Sequence, residues 1–216
     1  MSVSSQTKLK HATILFTFIF LAWSCYRLLF QLPQEIEELI LKPIFWLLPV
    51  YYFVRLEKAQ LKSLGFTTEK IFPVIYLSLF LGTLFAIEGL FVNYFKYHEF
   101  EFSSQTGQQA LIIPFLISFA TAFSEEITFR GFIFTRLAQS LKNTSLANLI
   151  SSLGWVAIHL PIAILDWQLS PINLISYLLL IFAFSLAVTF LFSRTKNILL
   201  AIMLHVMWQW PIILFR

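Results

Sequence analysis

The sequence predicts an all-α, polytopic bundle of about seven transmembrane helices, with the N-terminus inside. Of the 216 residues, 58% are hydrophobic and only 12% are charged, whereas soluble domains carry about 25% charged residues. Apolar runs of about 20 residues recur along the whole chain, and this is the length that an α-helix needs to cross a bilayer. These two observations exclude an ordinary soluble domain.

Seven candidate spans follow one another, bounded by charged or turn-forming residues: about 12–32, 36–54, 71–95, 110–136, 146–165, 171–193 and 197–215. The first is too long for the apolar region of a signal peptide, so we expect it to be retained. The second is the weakest, because Lys42 and Pro43 interrupt it and glutamates precede them, a pattern typical of a kinked or partly interfacial helix. We expect Asn143 to cap the fifth helix.

Loop charges test this topology independently, since cytoplasmic loops hold an excess of Lys and Arg. With the N-terminus inside, the cytoplasmic side receives Lys8, Lys10, Arg55, Lys58, Lys62, Lys70, Arg136, Lys142, Arg194 and Lys196. The other side receives Lys42, Lys96 and Arg216, together with Glu35, Glu37, Glu38, Glu99, Glu101 and Asp166. The asymmetry favours an odd number of spans in a multi-pass integral membrane protein, for which we expect the cell membrane as the location.

Composition also limits the partners. The net charge of +4 comes from short loops, so it indicates topology and predicts no nucleic-acid partner. The apolar spans predict contact with membrane lipid. The single cysteine, Cys25, can build neither a disulfide framework nor a thiolate metal site within one chain.

Charged residues inside a span cost about 2.5 to 3.5 kcal/mol each, so those present require a reason. We interpret Arg27, which can snorkel from a helix end, and Glu88 as structural. Glu125 and Glu126 are adjacent carboxylates, and Arg130 follows Glu126 at the spacing of an ion pair. This pairing would leave Glu125 free as a candidate general base. The alternative is a polar cluster that only holds helices together.

Two histidines, His159 and His205, lie deep in their predicted spans, whereas His11 and His98 are at span edges and are expected to be solvated. At 1.5 Å per residue, Glu125, His159 and His205 lie roughly 16, 16 and 14 Å from the cytoplasmic ends of their helices. A common depth on three helices favours a single site.

Neighbours of the histidines complete this candidate site. Trp155 precedes His159 by four residues and Gln209 follows His205 by four, so each shares a helix face with its histidine. Pro161 removes a backbone donor just past His159. We expect a kink or a helix end there that opens a cavity.

Three motifs follow one another in the second half of the chain: Glu125-Glu126-x-x-x-Arg130-Gly131, Trp155-x-x-x-His159 and His205-x-x-x-Gln209. Together they resemble the CPBP family, which includes type II CAAX prenyl endopeptidases, bacterial Abi proteins and bacteriocin-processing or immunity proteins. The resemblance covers about residues 110–216, and the first three spans carry none of it. The family usually has Phe at the position of Trp155, and Asn or Asp at that of Gln209.

The resemblance implies an intramembrane protease that acts on membrane-associated peptides or proteins, such as prenylated proteins or leader peptides. Residues 110–216 would be the catalytic core and residues 1–109 a set of spans without a motif. In this core, Glu125 and His159 would activate a water molecule, and His205 and Gln209 would stabilise the oxyanion. The supporting pair would be Glu126 and Arg130.

The resemblance does not decide whether the protease needs a cofactor. A mechanism in which glutamate activates the water needs no cofactor, and we favour this mechanism. The family has also been described as metalloproteases, and Glu125, His159 and His205 could form a zinc site with two histidines and one glutamate. The His-Glu-x-x-His helix of zinc proteases is absent from the sequence.

Two other functions remain open. A catalytically inactive membrane scaffold or bacteriocin immunity protein could keep the polar cluster for stability; Gln209 favours this alternative, and the intact Glu125, His159 and His205 oppose it. A small transporter could use the same residues as a proton relay. The absence of an internal repeat from the sequence weakens the transporter.

Overall fold

The structure is a computed structural model that describes residues 3–30, 32–100 and 112–215, without the side chains of residues 96 and 211–215. Secondary structure in these ranges is entirely helical, which confirms the all-α class. The helices are α1 Ser5–Leu29, α2 Gln34–Leu56, α3 Ile71–Tyr97, α4 Ile112–Leu141, α5 Thr144–Asp166, α6 Pro171–Thr195 and α7 Ile198–Phe215. In the described ranges, α1 to α6 are long and apolar enough to cross a membrane, and α7 is a shorter apolar helix.

The helix boundaries follow local capping and turn chemistry. α1 begins at Ser5, earlier than the expected residue 12, because the Ser4 hydroxyl accepts a hydrogen bond from the Thr7 backbone N–H. Asn143 caps α5 as expected, with its side chain accepting from Leu146 N at 2.9 Å. Pro171 stands at the first position of α6, where its missing N–H costs no helical hydrogen bond.

The second span contains buried charged residues. α2 is continuous from Gln34 to Leu56, with a π-helical stretch, Glu37–Leu41, immediately before Lys42. Glu37, Glu38 and Lys42 are buried against neighbouring helices, where Lys42 pairs with Glu38 and Arg27 pairs with Glu37. The interpretation of a kinked or partly interfacial helix stays a prediction.

α4 is the central helix of the bundle, in contact with α1, α2, α5, α6 and α7. Its π-helical stretch, Ile127–Phe134, directly follows the two glutamates, and all eight of its residues are buried. Single π-turns within α-helices are frequent at functional sites. α3 packs on α7 at the periphery of the bundle.

The two ends of the bundle differ in charge. The end that holds the N-terminus carries exposed cations, which are Lys10, Arg55, Lys58, Lys62, Lys70, Lys142, Arg194 and Lys196; we call it the basic end. Arg136 is buried there against Glu57, and His11 Nδ1 is 3.0 Å from Glu57 Oε1. The expectation that His11 is solvated was therefore wrong. Glu101, Arg216 and the side chain of Lys96 lie outside the described part of the chain.

Candidate active site

A cavity of about 720 Å³ enters the bundle from the end opposite to the basic end. This volume is within the range of small-molecule and peptide sites. Every helix except α3 contributes to its wall, and the wall includes five tryptophans: Trp23, Trp46, Trp155, Trp167 and Trp208. The cavity thus combines an aromatic lining with charged side chains, among them Lys42 and Glu125.

Glu125 of α4 lies in this cavity with both carboxylate oxygens hydrogen-bonded. Lys42 Nζ of α2 is 2.9 Å from Oε1, and the indole Nε1 of Trp155 donates to Oε2 at 3.0 Å. The expectation that Glu125 is free because Arg130 holds the neighbouring carboxylate was therefore wrong. Glu125 is instead paired with a lysine 83 residues away in sequence.

His159 of α5 faces Glu125 from across the cavity. Its Nδ1 is 2.7 Å from the backbone oxygen of Trp155. Because a carbonyl oxygen can only accept, Nδ1 carries the proton and Nε2 is an acceptor in the neutral ring. This Nε2 is 4.0 Å from Glu125 Oε2, a separation too long for a direct hydrogen bond and one that a water molecule can bridge.

His205 of α7 is held between two partners. Its Nδ1 is 2.7 Å from Glu126 Oε1, so that it donates to the carboxylate. The neutral ring then accepts at Nε2 from the Gln209 amide nitrogen, 3.2 Å away. The Gln209 carbonyl oxygen accepts from the Ser118 hydroxyl at 2.6 Å. The nitrogen and the oxygen of the Gln209 amide are therefore both hydrogen-bonded, and this fixes the orientation of the amide.

Arg130 of α4 holds the carboxylate of Glu126, which in turn holds His205. Its Nη1 is 3.1 Å from Glu126 Oε1, at the predicted spacing of one helical turn. The remaining guanidinium nitrogens donate to Thr189 and Ser185 of α6, and the guanidinium stacks 4.7 Å from the Trp155 ring. Each guanidinium nitrogen of this buried Arg thus donates to an acceptor.

Comparison with known proteins places part of this chain in a family. Residues 107–211 match the family model described as type II CAAX prenyl endopeptidase Rce1-like. This part of the chain belongs to the Rce1-like family. The matched Rce1-like segment contains α4 to α7 almost completely, including Glu125, Glu126, His159, His205 and Gln209. No curated protein and no solved structure matches the chain.

The match of this segment confirms the CPBP resemblance and supports, at the level of the family, a CAAX-type intramembrane endopeptidase. The apolar helices and the matched family together support an integral multi-pass membrane protein. The predicted site residues of the Rce1-like segment line or adjoin one cavity. Trp155 lies between the two histidines, with ring centroids 4.5 Å from His159 and 5.8 Å from His205. This tryptophan replaces the Phe that is usual in the family and adds an indole donor to Glu125.

The residues of the Rce1-like site do not fit a zinc ion as they are arranged. Among the described residues, no group of three or more His, Cys, Asp or Glu side chains could hold a metal ion. The partner of Glu125 Oε1 is itself a cation, and both ring nitrogens of His205 are directed at Glu126 and Gln209. We therefore derive no step through a metal.

The expected break at Pro161 takes another form. The α-helical part of α5 ends at Pro161, and the helix continues as a π-helical stretch, Ile162–Asp166. The missing N–H of the proline removes one α-helical hydrogen bond, and the wider turn accommodates the loss. Ile162 lines the cavity at this point.

Sequence reasoning missed two charged groups of the cavity. Lys42 was interpreted only as an interruption of the second span, although Glu38, one turn before it, gave the signal of an ion pair. Arg27 was interpreted as a structural residue that can snorkel, and its pairing with carboxylates was missed. Its side chain is 10% exposed, pairs closely with Glu37, and has Nη1 3.0 Å from Asp166 Oδ2.

Proposed function

We propose that the chain is an intramembrane endopeptidase that hydrolyses peptide bonds with a water molecule activated by Glu125 and His159, without a metal cofactor. The observation that carries this proposal is that two acceptors, Glu125 Oε2 and His159 Nε2, face each other at 4.0 Å. A water molecule between them would donate one O–H to each. Its oxygen lone pairs would then be directed away from both groups and towards a substrate carbonyl carbon.

In this mechanism, Glu125 accepts a proton from the water as its oxygen attacks the carbonyl carbon. The same carboxyl group then gives the proton to the departing amine, so that Glu125 acts as base and acid in turn. His159 orients the water through Nε2, since its Nδ1–H is held by the Trp155 carbonyl. Displacement of water from the cavity by the substrate would strengthen the electrostatic interactions of these groups.

Gln209 supplies the donor for the developing oxyanion. Its amide carries two N–H bonds, of which one is directed at His205 Nε2. The second is available to the substrate carbonyl oxygen. Glu126 holds His205, and Arg130 holds Glu126, so this donor is fixed before the substrate binds, as electrostatic stabilisation of a transition state requires.

For the substrate, we propose membrane-associated peptides, either prenylated at a CAAX sequence or carrying an apolar leader. The tryptophan-lined wall suits an apolar chain, while the charged groups lie where a peptide bond would be held. The similarity to type II CAAX prenyl endopeptidases supports the prenylated class.

The test is cleavage by the purified protein in detergent. The probes are a quenched-fluorescence peptide with a farnesylated CAAX end, the same peptide without the lipid, and a leader-type peptide with an apolar segment. We expect cleavage of at least one lipid-associated probe, no cleavage by Glu125→Gln, and unchanged rates after chelation. Loss of activity on chelation with recovery on added zinc would make Glu125, His159 and His205 metal ligands. No cleavage of any probe would favour the inactive scaffold or immunity protein.

A further inference from the structure

The family-matched segment does not build the candidate site alone, because α2 places a cation in direct contact with the proposed base. Lys42 Nζ is 2.9 Å from Glu125 Oε1 and 2.6 Å from Glu38 Oε2. Lys42 precedes the matched residues 107–211 by 65 positions of sequence. From this geometry we infer that Lys42 is a positioning residue that fixes Oε1 of Glu125 and leaves Oε2 as the atom that accepts the proton of the water.

The two oxygens of Glu125 have different surroundings, and this difference assigns their roles. Oε1 accepts from the Lys42 ammonium, whereas Oε2 accepts from the neutral Trp155 indole and faces His159 Nε2. Together the two donors prevent rotation of the carboxylate about its terminal bond. Without Lys42, either oxygen could turn towards the water or away from it, and the fixed distance to His159 would be lost.

Lys42 is itself held firmly enough to act in this way. Only 5% of the residue is exposed, and its ammonium also lies 5.5 Å from the Trp23 ring centroid and 5.6 Å from that of Trp46. Glu38 receives a second donor from Thr121 of α4 at 2.6 Å. The ammonium thus occupies one defined position between two carboxylates.

A purely structural role would make Lys42 a link between α2 and α4 and nothing more. The chain offers a matched link for comparison. At the basic end, the buried Arg136 of α4 pairs at 2.8 Å with the buried Glu57, which directly follows the last residue of α2. This pair joins the same two helices, is equally protected from water and lies outside the cavity.

The experiment rests on the proposed protease activity and compares three variants with the wild type: Lys42→Met, Lys42→Met with Glu38→Gln, and Arg136→Met. Each is purified in detergent, its thermal unfolding is measured, and kcat and KM are determined with the probe that the wild type cleaves fastest. The double variant removes one cation and one anion together, so the net charge of the cluster is unchanged, which protects the fold, and Glu125 keeps its hydrogen bond from Trp155.

We expect Lys42→Met, alone and in the double variant, to lower kcat by about a hundredfold, which is the typical effect of a misplaced catalytic group. KM should change by less than about threefold, because Lys42 acts through Glu125 on the chemical step. Arg136→Met should lower the unfolding temperature and leave kcat of the folded protein unchanged.

Wild-type kcat in the folded double variant would overturn the inference, and so would an equal loss of kcat in Arg136→Met. If Lys42→Met fails to accumulate as folded protein, the double variant alone decides. Failure of the proposed function is recognised separately, because the wild type would then cleave no probe, or Glu125→Gln would retain activity.

Discussion

Glu125 and Glu126 are neighbours in the chain but have different partners. Glu125 contacts Lys42 and Trp155 at the wall of the cavity, whereas Glu126 is fully buried between Arg130 and His205. Adjacent positions on a helix are about 100° apart, so the two side chains necessarily meet different helices. One carboxylate can therefore face the substrate while the other holds a histidine.

Replacing each glutamate by glutamine separates these roles. Glu125→Gln should keep the fold, because Lys42 retains Glu38 as a counter-ion at 2.6 Å, and it should abolish cleavage. Glu126→Gln leaves Arg130 without a charged partner and weakens the contact to His205, a loss that can cost about 3 to 5 kcal/mol. Its unfolding temperature in detergent should therefore fall together with its activity.

The measurement pairs thermal unfolding with peptide turnover for the wild type and both variants. An inactive scaffold predicts no cleavage from any of the three. A Glu125→Gln protein that still cleaves, or one that fails to fold while Glu126→Gln is stable, would show that the two carboxylates have the opposite roles.

Substitution of Gln209 provides a second test of the proposed mechanism. Its longer side chain, compared with the Asn or Asp usual in the family, reaches both His205 and Ser118. If its free N–H stabilises the oxyanion, Gln209→Leu should lower kcat by about 10²- to 10³-fold with little change in KM. Ser118→Ala removes only the contact that orients the amide and should cost much less. Equal turnover by Gln209→Leu and the wild type would remove Gln209 from the mechanism.

Among the helices, α2 was the one whose side-chain contacts the sequence predicted least well. Its charges were visible, and the i,i+4 spacing of Glu38 and Lys42 is a local signal. The contact with Glu125 is not local, since it depends on how α2 packs against α4. By contrast, the pairing of Glu126 with Arg130 lies within one helix, and its spacing alone predicted it.

The end of α1 forms a clamp with two other helices. Arg27 pairs with Glu37 of α2 and with Asp166 at the end of α5, beside the mouth of the cavity. Arg27→Met would leave the buried Glu37 and the partly exposed Asp166 without their cation. Loss of one partner of a buried pair can cost about 3 to 5 kcal/mol, and the exposure of Asp166 places this case towards the lower end. We expect a lower unfolding temperature, with partial recovery in Arg27→Lys, whose ammonium cannot bond two carboxylates in the same fork geometry.

The control for Arg27 is Lys62→Met. Lys62 pairs with Glu69 in an exposed loop, and such exposed pairs contribute little to stability. Its loss should leave the unfolding temperature unchanged. An Arg27→Met protein as stable as the wild type would show that the clamp does not hold the three helices together.

For the whole molecule, hydropathy and length predicted the number and order of the helices, because a bilayer demands continuous apolar helices of about 20 residues. The common-depth argument selected residues that the structure brings to one cavity. The sequence could not predict where that cavity opens, since this depends on the separation of helix ends. Gln34, Glu35 and Pro114, which lie near helix starts, line the cavity at the end opposite to the basic end.

This position has a consequence for the substrate when it is combined with the loop charges. Cytoplasmic loops hold the excess of Lys and Arg, so we predict that the basic end faces the cytoplasm and that the cavity opens towards the other side of the membrane. Substrate peptides would then enter from the extracytoplasmic side or from within the bilayer. Single cysteines in a Cys25→Ser background test this, since the native Cys25 is exposed.

The two positions are Gln60, exposed at the basic end, and Glu99, exposed beyond the opposite end of α3. A membrane-impermeant maleimide should label Glu99→Cys in intact cells, and Gln60→Cys only after permeabilisation, because the bilayer protects the cytoplasmic loops. Equal cleavage activity of both variants and the Cys25→Ser parent would show that the fold is unchanged. The reverse labelling pattern would place the mouth of the cavity on the cytoplasmic side, where newly made prenylated or leader peptides could enter directly.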